Sequence, residues 1–200
     1  MAEAEVLLRK HTRREFRNRM EAGELKCCII PVAAIEQHLE HLQMEHDWRS
    51  VMHVARLVAE RLCPQVIVAE GLMAGISEHH MRHPGTLSLR PGSFLAVLSD
   101  MIDSMVRAGF KHIVVLNGHG GNIAPCRGIW DQFQRQALVN LHFLPYWEVL
   151  TEDDEATTAT EKRPFSPVGS IRANRAASGL ATSRSCSTKN RSPGTPPAAC

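Results

Sequence analysis

The sequence predicts an α/β protein in which helices cover both faces of a mostly parallel sheet. Three observations support this prediction. Short, nearly continuous apolar runs of strand character alternate with segments of helical spacing. Polar clusters follow the strands, which is where binding sites gather in such sheets. The 200 residues are 44% hydrophobic and 22% charged, which is enough for one domain with a sizeable core.

Strands and helices are predicted to follow one another in turn. In chain order we predict a helix over the first 24 residues that ends near Gly23, a strand over 26–34, a helix over 48–62, a strand over 65–70, a helix over 93–108, a strand from 112 into a turn, a helix over 125–137 and a strand over 141–147. Pro64 stops the second helix, because proline cannot continue it. Ser93 is expected to cap the third helix, and Gly109 to close it.

Charge and cysteine usage exclude several classes of protein. Basic and acidic residues are equal in number over residues 1–150, so nothing indicates a nucleic-acid partner. No apolar run is long enough for a bilayer span, and the charged N-terminus does not resemble a signal peptide, so we expect a cytoplasmic protein without a membrane partner. The six cysteines show no CxxC spacing and are read as reduced thiols.

The composition changes after residue 150. Residues 151–161 are acidic, and the segment that follows to residue 200 is basic and rich in Ser, Pro, Arg and Ala. Such a segment cannot bury enough apolar surface to offset its ordering entropy. We therefore predict one folded domain over 1–150 and a disordered, low-complexity tail over 151–200.

The first polar cluster runs from Glu36 to Asp47, directly after the first predicted strand. Glu36 and His38 are two residues apart, so on leaving the strand they point to the same side, and a loop is expected to return Asp47 to that point. Imidazole nitrogen and carboxylate oxygen suit zinc, manganese or iron, and Asp47 could bridge two ions. The alternative interpretation is a loop whose charges face water.

A second cluster, NGHGGN over 117–122, ends the third predicted strand and places His119 among glycines. Glycines let the backbone approach an ion or a substrate closely, although any tight strand-to-helix turn could use them. The predicted turn and substrate-contacting residues are Gly118, Gly120, Gly121 and Asn122.

A third cluster, over 75–86, contains the candidate catalytic residues Ser77, Glu78 and His79. A serine–histidine nucleophilic triad at Ser77 is disfavoured, because no G-x-S-x-G elbow surrounds this serine. A hydroxyl aimed at the substrate or at a metal-bound water agrees better with the acid–histidine cluster nearby.

The motifs PVAAIEQH with the later Asp47, GISEHHMRHPGTLSL and LNGHGGN, in this order, resemble the creatininase (creatinine amidohydrolase) family. The resemblance implies a three-layer α/β/α sandwich, one or two divalent ions, a homo-oligomer and hydrolysis of a C–N bond in a small cyclic amide, formamide or peptide-like substrate. The metal ligands that it implies are Glu36, His38, Asp47 and His119. The matching serine, Ser77, would orient the substrate, while a divalent ion lowers the pKa of bound water toward about 7.

The sequence also departs from the family pattern. Leu39-Glu40 replaces a Gly-Pro pair, and Gly121 stands where creatininase has an acidic ligand. A histidine-and-glutamate segment resembling HAGE, expected in the C-terminal third, is not recognisable, and Glu148 is the best candidate for a substitute carboxylate. The alternative function is therefore a truncated or frame-shifted remnant that binds metal without turnover.

Overall fold

The structure is a computed structural model that describes residues 5–149. Within this range the helices are α1 (Arg13–Glu21), α2 (His46–Arg61), α3 (Pro91–Arg107) and α4 (Ile123–Ala137), and the strands are β1 (Cys27–Val32), β2 (Val66–Val68), β3 (His112–Asn117) and β4 (Asn140–Pro145). The predicted tail over 151–200 lies outside the described residues, so its disorder stays a prediction.

The four strands form one parallel sheet in the order β2-β1-β3-β4. The chain first places β2 on one side of β1 and then crosses to place β3 on the other side. The last residues of β1 and β3, Val32 and Asn117, are partners in the sheet register. The carboxyl ends of β1 and β3 therefore flank the point where the winding of the sheet reverses, which is where open α/β sheets bind their ligands.

Helices cover both faces of the sheet. On one face, Val51, Ala55 and Ala59 of α2 pack in a buried cluster with Ile29 of β1. On the other face, Cys28 of β1 belongs to a second buried cluster, which includes Phe94 and Leu98 of α3 and Cys126 and Phe133 of α4. The alternation of neighbouring β1 residues between the two clusters confirms the predicted three-layer α/β/α sandwich.

Helix starts follow local chemistry, which corrects two predictions. The first helix, expected over the first 24 residues, begins only at Arg13. Thr12 and Glu15 form a reciprocal capping box at the start of α1. Helix α3 begins at Pro91, with Arg90 as the N-cap residue. The prediction that Ser93 caps this helix was wrong, because Pro91 has its φ preset for the first helical turn and begins the helix before Ser93. None of the helices within residues 5–149 has the length and apolar character needed to cross a bilayer.

Candidate metal centre

Asp47 lies in the first turn of α2 and presents one oxygen to each of two histidines. Its Oδ1 lies 3.0 Å from Nε2 of His38, and its Oδ2 lies 2.9 Å from Nδ1 of His119. The carboxylate is 12% exposed, and its position at a helix N-terminus favours its negative charge. The segment between β1 and α2 returns Asp47 to Glu36 and His38 as expected, but the predicted helix start at residue 48 was two residues late, since α2 begins at His46 and includes Asp47.

The backbone sets which ring nitrogen of each histidine faces the carboxylates. Nδ1 of His38 lies 3.1 Å from the carbonyl oxygen of Glu36, and Nε2 of His119 lies 3.0 Å from the carbonyl oxygen of Ile76. A carbonyl oxygen only accepts hydrogen bonds, so these nitrogens carry the proton in the neutral rings. In the metal-free protein the opposite nitrogen of each ring donates to Asp47, and a metal ion would take the place of that proton.

Glu36 completes the buried group from the other side. Its Oε1 lies 3.4 Å from Nδ1 of His119, and its Oε2 accepts a hydrogen bond from Oγ of Ser77. Glu36 is only 6% exposed and Ser77 is fully buried. The serine hydroxyl therefore fixes the orientation of the glutamate carboxylate.

The pKa shifts show that this group is built to hold positive charge. Burial alone would raise the pKa of Asp47, but hydrogen bonds with His119 and His38 lower it below its ordinary value. The pKa of Glu36 is likewise lowered, against the effect of burial, by His119 and Ser77. Burial opposes the charged form of His119, but hydrogen bonds with Asp47 and Glu36 raise its pKa to about 10. A divalent cation satisfies the same two carboxylates and displaces that proton.

Two sets of side chains are placed to hold an ion. One set is Glu36, His38 and Asp47, and the other is Glu36, His79 and His119; within each set the ligand atoms lie within 4.8 Å of one another. All donors are imidazole nitrogens or carboxylate oxygens, which suit zinc, manganese or iron(II). The side chains therefore fit a divalent metal ion in both their spacing and their chemistry.

Two buried asparagines hold the His119 turn in place. Nδ2 of Asn117 donates to the carbonyl oxygen of His119 at 2.7 Å, and Oδ1 of Asn117 accepts a hydrogen bond from Asn122. Asn122 also donates to the carbonyl oxygen of Ala33 at 3.1 Å and accepts from the backbone N–H of Ile76 at 2.9 Å. This network joins the ends of β1 and β3 to the 75–86 segment.

The predicted turn glycines do not all have the same role. A Cβ at Gly118 would lie 2.8 Å from the carbonyl oxygen of Asp47, and one at Gly121 would lie 2.0 Å from the carbonyl oxygen of Ile76. A Cβ at Gly120 would meet nothing within 4 Å. Close packing around the site thus requires glycine at 118 and 121 but not at 120.

The remaining predicted residues lie at the edge of this group. Glu78 and His79 are exposed and belong to the single-turn helix Glu78–His80. The ring of His79 stacks nearly parallel on that of His119, with centroids 5.9 Å apart. Glu148 forms a two-point ion pair with Arg127, with its oxygens 2.7 and 2.8 Å from Nη2, so this carboxylate faces α4 rather than the His119 side chain.

Sequence reasoning missed a contact between Gln37 and His80. The backbone N–H of Leu39 donates to Oε1 of Gln37, which leaves the Gln37 amide nitrogen 2.8 Å from Nδ1 of His80. Nδ1 of His80 accepts this hydrogen bond, so Nε2 of the neutral ring carries the proton, 3.8 Å from Glu36. The one feature of the sequence that could have indicated this contact is the position of Gln37 between the candidate ligands Glu36 and His38.

The fold and the site together define an α/β/α protein with a candidate metal site at the switch point of a parallel sheet. The chain belongs to the creatininase family, since the family model described as "Creatininase: Creatinine amidohydrolase" matches residues 9–169. This assignment confirms the resemblance drawn from the motifs, and the relationship supports a hydrolase.

Individual relatives agree with the family assignment. The chain is 31% identical over 122 residues to creatinine amidohydrolase of Pseudomonas putida, covering 58% of this chain and 46% of the relative. It is 34% identical over 103 residues to the mycofactocin precursor peptide peptidase of Mycobacterium tuberculosis, covering 48% of this chain and 41% of that protein. This chain therefore spans less than half the length of these curated relatives.

Solved structures agree in fold as well. The crystal structure of creatinine amidohydrolase (creatininase) superposes with a TM-score of 0.68 at 27% identity, covering 80% of this chain and 64% of that one. A creatininase described as the Mn form gives a TM-score of 0.67 at 26% identity, with coverages of 81% and 66%. A mutant creatininase described as the Zn-Zn type gives the same TM-score, identity and coverages.

Proposed function

We propose that this chain is a metal-dependent amidohydrolase that cleaves a C–N bond in a small cyclic amide, a formamide or a peptide-like substrate. Glu36, His38, Asp47 and His119 hold the ion or ions. The observation that carries this proposal is the position of Asp47, whose two oxygens each face a histidine nitrogen, while the other nitrogen of each ring bonds to a backbone carbonyl.

The relatives support this chemistry. The names of two of them, creatinine amidohydrolase and mycofactocin precursor peptide peptidase, denote hydrolysis of C–N bonds. A third relative, from Thermotoga maritima, is called 3-dehydro-scyllo-inosose hydrolase, so family members differ in substrate. Zn-Zn and Mn forms of creatininase favour zinc or manganese, while iron(II) suits the same donors.

A bound divalent ion supplies an activated water at neutral pH and polarises the carbonyl of the substrate. The side chains of the protein hold the ion and position the substrate. Asp47 would hold an ion together with Glu36 and His38, and Ser77 holds Glu36 in place from its buried side. Ser77 therefore acts through Glu36, and we assign the exposed Glu78 and His79 of the short helix that follows it to the open side of the site. Gly118, Gly121 and Asn122 keep the His119 turn close to the site, and Gly120 is open to a substrate.

The competing function is a family remnant that binds metal without turnover. It is favoured by Gly121, which offers no ligand, and by the ion pair that engages Glu148 with Arg127. A homo-oligomeric assembly and a cytoplasmic location also stay predictions.

The proposal is tested by elemental analysis of the purified 200-residue protein, together with hydrolysis of a panel of small formamides and cyclic amides. Asp47→Ala should lose the metal and the activity, while Asp131→Ala, which changes an exposed carboxylate on α4, should keep both. Metal that depends on Asp47 but gives no turnover would favour the remnant. A wild-type protein that binds no divalent ion would refute the proposal.

A further inference from the structure

The second set of candidate ligands contains His79, which is not among the four ligands of the proposed function. Glu36, His79 and His119 bring three donor atoms within 4.8 Å of one another, the same limit that holds for Glu36, His38 and Asp47. The two sets share Glu36 and otherwise use different side chains. Each set provides three protein ligands, which is the number that catalytic zinc sites use when they leave one position open.

Position 121 cannot provide a further ligand with the backbone conformation that this chain has around Gly121. A Cβ there would lie 2.0 Å from the carbonyl oxygen of Ile76 and 2.5 Å from Nε2 of His119. That carbonyl is the one that orients the His119 ring, at 3.0 Å from Nε2. The backbone has therefore closed the space that a side chain at 121 would need, and an additional donor has to come from another segment.

His79 is the donor that the neighbouring segment offers. Its backbone follows Ser77, which is fully buried and bonded to Glu36, so the segment is anchored beside the shared ligand. Its ring stacks on the His119 ring at 5.9 Å, with an interplanar angle of 8°. Within residues 5–149 no hydrogen bond engages the His79 ring, whereas Nδ1 of the next residue, His80, is held by Gln37.

We propose that His79 is a metal ligand, which completes a second ion position together with Glu36 and His119. This inference rests on the proposed function, because it requires that the first set also binds metal. Glu36 would then contribute to both ion positions, since it belongs to both sets. His79 thus provides the donor that position 121 cannot.

The test is the metal stoichiometry of the full 200-residue chain, measured by equilibrium dialysis against Zn²⁺ or Mn²⁺ and by elemental analysis. The wild-type protein should bind two ions, and His79→Ala should keep one and bind the other at least about 10-fold more weakly, since even changes outside the direct ligands cost roughly 10–100-fold. His83→Ala, which removes an exposed histidine from the same segment, should still bind two. In the Mn²⁺-loaded protein, electron paramagnetic resonance should show a coupled ion pair in the wild type and an isolated ion in His79→Ala.

The outcomes separate this inference from the proposed function. Two ions bound with unchanged affinity in His79→Ala would overturn the role of His79 and leave the proposed function intact. A single ion in the wild-type protein would do the same. A wild-type protein without any bound ion would overturn both. Circular dichroism checks that the His79→Ala protein is folded. We expect it to fold, because His79 is exposed.

Discussion

The carbonyl oxygen of Ile76 lies 3.0 Å from Nε2 of His119, although the two residues are 43 positions apart in the chain. This hydrogen bond assigns the proton of the neutral ring to Nε2 and leaves Nδ1 to face Asp47 and Glu36. Gly121 makes the contact possible, because any side chain there would collide with the same carbonyl oxygen.

Gly121→Ala should therefore weaken metal binding, whereas Gly120→Ala should not. The new methyl group at 121 has to displace either the Ile76 carbonyl or the His119 ring, and both shifts move a ligand nitrogen. We expect a loss of at least about 10-fold in zinc affinity, comparable to other losses of second-layer support. Competition titration with a chromogenic chelator measures the affinity. Wild-type affinity in Gly121→Ala would contradict this account of the turn.

Asn122→Ala should destabilise the fold. The substitution leaves the buried N–H of Ile76 and the carbonyl oxygen of Ala33 without their partner. An unsatisfied buried group costs about 1–3 kcal/mol, so we expect a loss of roughly 3 kcal/mol in the free energy of unfolding. Urea denaturation measures this loss. The matched change Asn140→Ala removes an exposed asparagine and should stay within about 0.5 kcal/mol of wild type.

The stability of the metal-free protein should depend on pH through His119. Its folded pKa of about 10 lies above the ordinary value of 6.5, so its contribution is complete below 6.5 and is lost as the pH rises toward 10. His119→Gln should consequently reduce the free energy of unfolding more at about pH 6 than at about pH 9.5. The measurement is urea denaturation of the wild-type and His119→Gln proteins at the two pH values, after a chelator has removed metal. An equal or larger difference at high pH would refute the assigned direction.

Leu138→Gly should stabilise the protein. Leu138 ends α4 with φ of 52°, in the left-handed region, and its side chain is 85% exposed. Glycine adopts this conformation without steric penalty, whereas other L-residues pay roughly 1–2 kcal/mol. We expect a gain of about 1 kcal/mol by thermal or urea denaturation. Leu138→Ala keeps the Cβ and should show no such gain; equal stability of the two variants would contradict the explanation.

Much of the fold could be predicted from the sequence, because its signals are local. Apolar runs located the strands, and helical spacing located α3 and α4 to within about two residues. The start of α2 at His46, two residues before the predicted one, shows why such a boundary is missed. His46 and Asp47 are polar residues that look like loop in a single sequence, but both are buried on the helix face that meets the site. A buried polar helix start has no apolar periodicity to reveal it.

The candidate site could be predicted only in outline. The structure brings Glu36, His38 and Asp47 together, as their spacing indicates, and adds His119 from the end of the neighbouring strand. The group that orients the His119 ring is the backbone carbonyl of Ile76, 43 positions away in the sequence. Every residue carries such a carbonyl, so residue identity does not reveal which one approaches the site.

The two-sided position of Asp47 has a further consequence for how the chain is held together. An ion held by Glu36, His38 and Asp47 would act as a removable cross-link that fastens the first turn of α2 to the segment after β1. Binding to the folded state alone adds about 2.7 kcal/mol of stability when free metal is 100 times its dissociation constant. Resistance to proteolysis would then vary with metal supply, so that the abundance of the protein, and not only its activity, would follow the availability of the ion.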